Sequence, residues 1–479
     1  MPSEKPLPVR QLILICAVRF AEPISFSIHA PFIYFMVRDF KICPETEIGY
    51  YVGMIASAFS ISQLISSLPI GMLSDRIGRR PVVFSGLATT IVGIISFGLS
   101  KSFAWALCTK IVMGLLMCKF VKDNNIAVLK SMVSEVTSQH SETQRARAFS
   151  LLQVVFGLGG IVGASLGGYL SDPVHKYPSI FGKGGPITEF LTEYPYFLPC
   201  FTAAVIASIG WIAGFLFLEE SLVRTKEIKA TEEDRMVNET QPLVENVNET
   251  GSYETFNGSN QSAAKSSING AVLAVCFTYA LIAYQMVFYD ELFPIWSASE
   301  WSVGGLGLAS KEIGTVVSFA GFVTLFIQFF IYHHLTAWLG TLRLLRVTLF
   351  ICIFVFALQG FNRYLATESN ALLWAGLLLN MGLKTIAQTV TITASIILVN
   401  NAATHRDALG SINALSQCCS SGMRALGPIS SGTVWSLVIS ATWIPLSLRS
   451  QLSWLVLACV AVFTFIASMM LKSKHYIRN

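Results

Sequence analysis

A handful of side chains could do chemistry inside runs that are otherwise apolar: Arg19, Glu22, His29, Lys110, Asn380, Lys384, Gln388 and Arg424. Glu22 comes three residues after Arg19, so on a helix the two share a face and can pair. Isolated charges in lipid are expensive, so such residues turn toward a protein interior or a water-filled space and handle ions or solutes. Pro23 removes the donor that would bond the carbonyl of residue 19, leaving that oxygen as a polar contact. His29 titrates near neutral pH, which suits either a hydrogen-bonded structural role or a proton carrier. Asn380, Lys384 and Gln388 recur at every fourth residue and make a polar stripe that reads as cavity lining. Arg424 is preceded by Ser416, Gln417, Ser420 and Ser421, and Asp290 and Glu291 read as interfacial caps ending their run. Arg19, Lys110, Lys384 and Arg424 against Glu22 make a net positive interior, a field that attracts anions or zwitterions. No nucleophile–base pair, metal cluster or phosphate loop stands out, so neither an enzyme nor a cofactor or metal site is expected.

The composition explains why charges in these positions are informative. The chain has 479 residues, 53% hydrophobic and 13% Asp, Glu, Lys or Arg, where a soluble domain carries about 25% of those four. Too few charges are present to cover soluble surfaces, and 33 Phe suit a surface that meets lipid. A net charge of +5 is too weak a bias for nucleic acid. The chain is a polytopic membrane protein whose standing partner is the bilayer. Nine of the ten Cys lie in or beside apolar runs and only Cys43 sits in a loop, which argues against a disulfide framework. Met1 to Pro8 lack a signal-peptide layout, so the first run is read as a retained span.

A bilayer core needs about 20 helical residues. Runs of that kind lie near 11–37, 49–73, 82–100, 103–129, 147–170 and 195–218, then near 269–293, 310–333, 346–361, 371–399, 408–439 and 451–471. The expected fold is therefore all-α, with twelve transmembrane helices in two six-helix halves. Residues 1–218 form one bundle, 219–268 a disordered linker and 269–479 the second bundle. The linker holds no apolar run and carries ten acidic residues against five basic. With both termini cytoplasmic, nineteen Lys and Arg fall inside and eight outside, as the positive-inside rule requires. The N-x-[ST] matches at Asn238, Asn248, Asn257 and Asn260 then never meet the glycosylation machinery.

The halves resemble each other. Gly163-Ala164-Ser165-Leu166-Gly167-Gly168 aligns with Gly427-Pro428-Ile429-Ser430-Ser431-Gly432 at an offset of 264. Repeated six-helix halves place a substrate site between them near the midplane and give alternating access by rocking. The strongest motif is Gly71-Met72-Leu73-Ser74-Asp75-Arg76-Ile77-Gly78-Arg79-Arg80, joining the second and third spans. Its glycines allow a tight turn and Asp75 can cap the next helix.

This motif resembles the signature loop of the major facilitator superfamily, and the resemblance covers nearly the whole chain outside the linker. It implies that Asp75, with Arg76, Arg79 and Arg80, latches the cytoplasmic side. The glycines of the fifth span, Gly159, Gly163 and Gly167, resemble a motif of the drug:proton antiporters, as does Leu218-Glu219-Glu220-Ser221 ending the sixth. With Gly427 and Pro428 these glycines are the expected helix-packing and hinge positions. Arg19-Phe20-Ala21-Glu22-Pro23, Cys43-Pro44-Glu45-Thr46-Glu47, Tyr194-Pro195-Tyr196-Phe197 and Arg424-Ala425-Leu426-Gly427-Pro428 resemble the zinc-induced-facilitator-like group of plants and its fungal relatives.

Two positions depart from the family pattern. Ala164 stands where proline is usual in the fifth-span motif, which makes the first half straighter and puts strict antiport in doubt. In the fourth span Lys110-Ile111-Val112-Met113-Gly114 resembles a family motif with Lys in place of Arg, and Cys118–Asp123 then intervenes before the Asn-rich stretch. Six extra residues rotate the rest of the helix by roughly 240° and add about 9 Å, so this segment reads as a gene-model error or a disabling insertion. The resemblance implies a monomeric secondary transporter that exports a small organic solute, anionic, zwitterionic or metal-chelating, from the cell or into the vacuole in exchange for protons. Uncoupled facilitation or import is the alternative, and a transport-inactive sensor or scaffold is the alternative of another class.

Overall fold

A computed structural model describes residues 9–77, 79–119, 133, 142–182, 184–217, 270–402 and 409–471. Among them twelve long helices succeed one another. The first six are α1 (Val9–Ser27), α2 (Ile48–Ile77), α3 (Arg79–Gly98), α4 (Phe103–Lys119), α5 (Glu142–Leu170) and α6 (Phe197–Phe217). The second six are α7 (Gly270–Ala298), α8 (Ser310–Phe326), α9 (Thr341–Gln359), α10 (Asn370–Asn401), α11 (Leu409–Ser440) and α12 (Leu446–Met469). The helix of α8 continues through a π-helical turn, Ile327–Ile331, into Tyr332–Leu339.

Lipid offers the backbone no hydrogen-bond partner, so a spanning segment must satisfy its own amides, and the helix does so. Hydroxyls inside the spans obey the same rule. Thr90 donates to the carbonyl of Gly86, Ser208 to that of Ala204 and Thr464 to that of Val460, each one turn back. Seven helices are by themselves long and apolar enough to cross a membrane, with shorter apolar helices between them. The chain is a multi-pass integral membrane protein of the twelve-helix, two-half kind expected from its sequence.

Three boundaries differ from the apolar runs. The first run breaks: α1 ends at Ser27, and after a turn containing Pro31 a short helix resumes at Ile33–Asp39. The Ile33 amide donates to the His29 carbonyl at 2.8 Å, which carries the chain around the break. The seventh helix runs five residues beyond its expected end at 293 and takes Pro294 into its interior. The signature stretch is not an open loop, because α2 reaches Ile77 and α3 begins at Arg79. Asp75 therefore lies within the last turn of α2. Gly78 lies outside the described residues, as do 120–123 of the intervening segment and the linker 219–268.

An even number of crossings puts the start of α1 and the end of α12 at one end of the bundle, the near end. Packing differs sharply between the near end and the far end. One hydrophobic cluster is shared by both halves and joins Ile24–Ile55 to Phe288–Ala298, Trp435, Ile439 and Trp454, mostly toward the far end. At the near end the clusters separate. One holds Leu12, Ile15, Val18, Phe84, Leu152 and Ala207 of the first half, the other Val272, Ile282, Leu345, Leu398 and Ile412 of the second.

Candidate functional site

The seam between the halves is built from the glycine motif of α5 and its repeat in α11. Gly163 of α5 packs on α1, where an added Cβ would stand 2.6 Å from the Ile24 carbonyl oxygen. Its repeat partner Gly427 packs on α7, with Val287 at 2.9 Å from such a Cβ. Gly168 faces the other half, where an added Cβ would stand 2.9 Å from the Gly314 Cα of α8, while its partner Gly432 faces Gly49 and Gly53 of α2. Each half thus uses one glycine to close on its own first helix and the next to close on the second helix of the other half.

Polar contacts reinforce both seams. Ser165 and Ser318 lie 2.7 Å apart between α5 and α8, and Tyr169 reaches Thr315 at 3.2 Å. On the other side the amide of Ile429 donates to Ser57 at 2.8 Å and that of Tyr50 to Ser436 at 3.0 Å. Sequence reasoning missed the far-end latch. Lys176, in the loop after α5, donates to the Gly168 carbonyl at 2.8 Å, to Ser171 at 2.8 Å and to Ser310 of the other half at 2.7 Å. Burial pushes its pKa down to about 8, with Asp172 opposing the shift and Lys311 adding to it. Nothing in the sequence points to the contact between the halves, because Gly168 and Ser171 are local while Ser310 lies 134 residues away.

Below the latch lie the charged residues. Arg19 is 3% exposed, pairs with Glu22 and stacks over Phe156 of α5 at 4.7 Å. Pro23 rests on Gly159, so this pair is fixed on α5 and its charges answer each other. His29 lies between Phe26 and Phe97, and its Nδ1 is buried without a partner. Lys110 is 6% exposed, with its ammonium 4.4 Å from the centre of the Phe97 ring and 5.9 Å from that of Phe59. No carboxylate pairs with it among the described residues. Glu291 of α7 is a carboxylate on the other half near Lys110, and His29 shares the Phe97 ring with it.

The second half is arranged differently. Lys384 donates to Asp290 at 2.6 Å and sits 4.2 Å over the Tyr289 ring. Asp290 is a pairing residue two turns short of its helix end, not an interfacial cap, and its side chain is 54% exposed. Glu291 likewise lies inside α7 rather than capping it. Asn380 turns to α9 and donates to the Val355 carbonyl at 3.2 Å, so the stripe on α10 is only partly directed at the seam. Gln388 is half-buried and has no hydrogen bond among the described residues. Arg424 bonds Ser421 of its own helix at 2.9 Å.

The interior is therefore less cationic than the sequence suggests. Glu22 answers Arg19 and Asp290 answers Lys384, which leaves Lys110 and Arg424 without a bonded carboxylate among the described residues. Among the described residues no cluster of His, Cys, Asp or Glu could hold a metal. Gly71, Asp75, Arg76, Arg79 and Arg80 are placed by their backbone alone, and no contact of theirs is described. A groove of about 790 Å³ between α3 and α4, lined by Val92, Ser96, Trp105 and Val112, opens away from these charges.

Known proteins agree with this architecture. The family model described as Major Facilitator Superfamily matches residues 15–428. A multidrug transporter of Aspergillus fumigatus, mfsB, is 28% identical over 90% of this chain and 79% of its own length. Zinc induced facilitator 1 of Arabidopsis thaliana is 25% identical over 90% of this chain and 84% of its own. Among solved structures, a bacterial homologue of the human lysosomal transporter Spinster, inward-facing and occupied, superposes with a TM-score of 0.67 at 13% identity. That match covers 99% of this chain and 100% of the other. The human organic anion transporter MFSD10 gives 0.57 at 16% identity, over 97% of this chain and 100% of the other. Family model, relatives and fold are all those of membrane transporters, and the chain belongs to the major facilitator superfamily.

Proposed function

We propose that the protein is a proton-coupled exporter of a small organic solute carrying a negative group, working by alternating access between residues 1–218 and 269–479. The observation that carries this reading is Lys110, a buried cation cradled by two aromatic rings with no protein carboxylate bound to it. A solute anion at that point supplies the missing partner. Glu291, across the seam from Lys110, can hold either a proton or the positive group of a zwitterion, but not both together. That exclusion is the elementary requirement of exchange. Glu22 and His29 belong to the same proton circuit, and Lys384 and Arg424 set the field on the other wall.

With the near end in the cytoplasm, as the basic residues favour, the shared far-end cluster and divided near-end clusters correspond to a conformation open to the cytoplasm. Asp75, Arg76, Gly78, Arg79 and Arg80 then gate the near end, and Gly159, Gly163, Gly167, Gly427 and Pro428 are the surfaces on which helices turn. The plasma membrane and the vacuolar membrane are both compatible with this orientation. Efflux proteins among the relatives support the direction of transport, and one of them is named as an efflux pump, azaK of Aspergillus niger. Uncoupled facilitation is favoured by one observation: Ala164, where an antiporter motif carries proline, is fully buried within an unbroken α5.

Proteoliposomes bathed in a total polar-metabolite extract test the reading, with accumulation tracked by mass spectrometry. Uptake of an anionic or zwitterionic solute only under an imposed pH gradient is the expected result. Equal uptake with and without the gradient removes proton coupling, and no uptake of any solute favours a sensor or scaffold.

A further inference from the structure

Behind the charges of α7, the far end of the second half buries more polar atoms than its protein partners satisfy. Trp296, Gln359, Ser453 and Trp454 are fully buried and Gln451 is 5% exposed. Six of their polar atoms have no hydrogen-bond partner: Nε1 of Trp296 and Trp454, Nε2 of Gln359, both side-chain amide atoms of Gln451, and Oγ of Ser453.

Five of these atoms, those of Trp296, Gln359, Gln451 and Trp454, belong to one place. The rings of Trp296 and Trp454 meet edge-on at 5.2 Å, and Tyr289 lies 5.4 Å from Trp454. The Tyr289 hydroxyl donates to Gln359 at 3.2 Å. The residue after Gln359 is Gly360, where an added Cβ would stand 2.8 Å from Trp454 Cδ1 and overlap the Gln451 oxygen. Helices α7, α9 and α12 therefore converge on a single polar spot, walled by indole rings.

Native interiors rarely leave so many polar atoms unsatisfied, and where they cluster, ordered water supplies the bonds. A buried water makes about three hydrogen bonds, so five atoms call for about two. We propose that this spot is a resident water site whose molecules bridge Gln359, Gln451, Trp296 and Trp454. Through the Tyr289–Gln359 bond the site holds the Tyr289 ring beneath Lys384. It is a positioning device for the charge pair of the second half and stands independently of any transported solute.

X-ray hydroxyl-radical labelling of the full chain in lipid nanodiscs, after millisecond mixing into H₂¹⁸O, tests it. Trp296 and Trp454 should be labelled despite their burial and carry ¹⁶O from slowly exchanging water, whereas Trp443, 84% exposed, should carry ¹⁸O. Gln451→Leu should lower the labelling of both buried tryptophans severalfold and leave Trp443 unchanged. Gln451→Met, closer in shape, is the milder variant should Gln451→Leu not fold, and it should lower Trp454 labelling in part. Unlabelled Trp296 and Trp454 in the native protein would show a dry site and overturn the proposal. So would ¹⁸O at these residues, or labelling that neither variant changes.

Discussion

Lys110 and Lys384 occupy the fourth helix of their respective halves, but only Lys384 has a carboxylate at hydrogen-bond distance. An ion-assisted hydrogen bond contributes about 1.5–3 kcal/mol, or roughly 10- to 150-fold in affinity. Lys110→Met should cost that much in solute binding, read as the half-saturating concentration of uptake. Lys384→Met should instead lower stability, because it leaves Asp290 without its partner. Arg19→Ala leaves Glu22 unpaired at the same depth, and breaking a buried pair costs about 3–5 kcal/mol. Thermal unfolding in detergent should show the single variant less stable than Arg19→Ala/Glu22→Ala, and the reverse order would mean that the two residues do not depend on each other. Lys176 adds a pH dependence. Its pKa is about 8 while the far end is closed and would return to about 10.4 in water. Between those values the closed form binds fewer protons than the open form, so raising the pH favours closure and lowering it favours opening. Below about pH 8 both forms are protonated and the slope vanishes. Spin-label distances across the far rim should show this slope in the native protein and lose it in Lys176→Met.

At the scale of elements, the two glycine seams decide how closely the halves approach. Gly168 and Gly314 leave no room for a side chain, so Gly168→Val should hold the far end apart and abolish transport while the separate near-end cores keep the protein folded. Overpacking of this kind costs about 1–3 kcal/mol, read by spin-label distances and uptake together. Ser165→Cys/Ser318→Cys should cross-link under mild oxidation and stop transport reversibly, and free transport by the cross-linked protein would remove alternating access from the reading. Most of these helices are legible in the sequence, because lipid enforces long apolar runs and the repeat of 163–168 at 427–432 marks the seams. What misled was interruption. The pair Asp290-Glu291 and Pro294 look like the end of a span, yet α7 passes through them because their polar groups turn inward. The signature stretch looks like a loop for its glycines and charges, but two helices nearly meet there. Lys384 is legible as part of a polar stripe from its four-residue spacing, whereas its partner Asp290, the latch at Lys176 and the place of Glu291 depend on contacts between distant segments.

For the whole molecule, a shared core at one end and divided cores at the other describe a body closed at the far end and parted at the near end. Amide hydrogen exchange should therefore be slow in residues 48–57 and 428–440 and faster in the near-end turns of α1, α7 and α11. A solute or gradient that drives the other conformation should reverse the contrast, and exchange that never shifts would describe a rigid scaffold.

In the transport cycle proposed above, the unequal walls of the seam would give a cargo a sense of direction. A cargo with opposite charges at its two ends would meet the Lys110 ammonium on one side and the Glu291 carboxylate on the other, so it would lodge only one way round. Two such fixed anchors, with the aromatic rings of Phe59 and Phe97 as a third point of contact, are enough to tell a left-handed molecule from its mirror image.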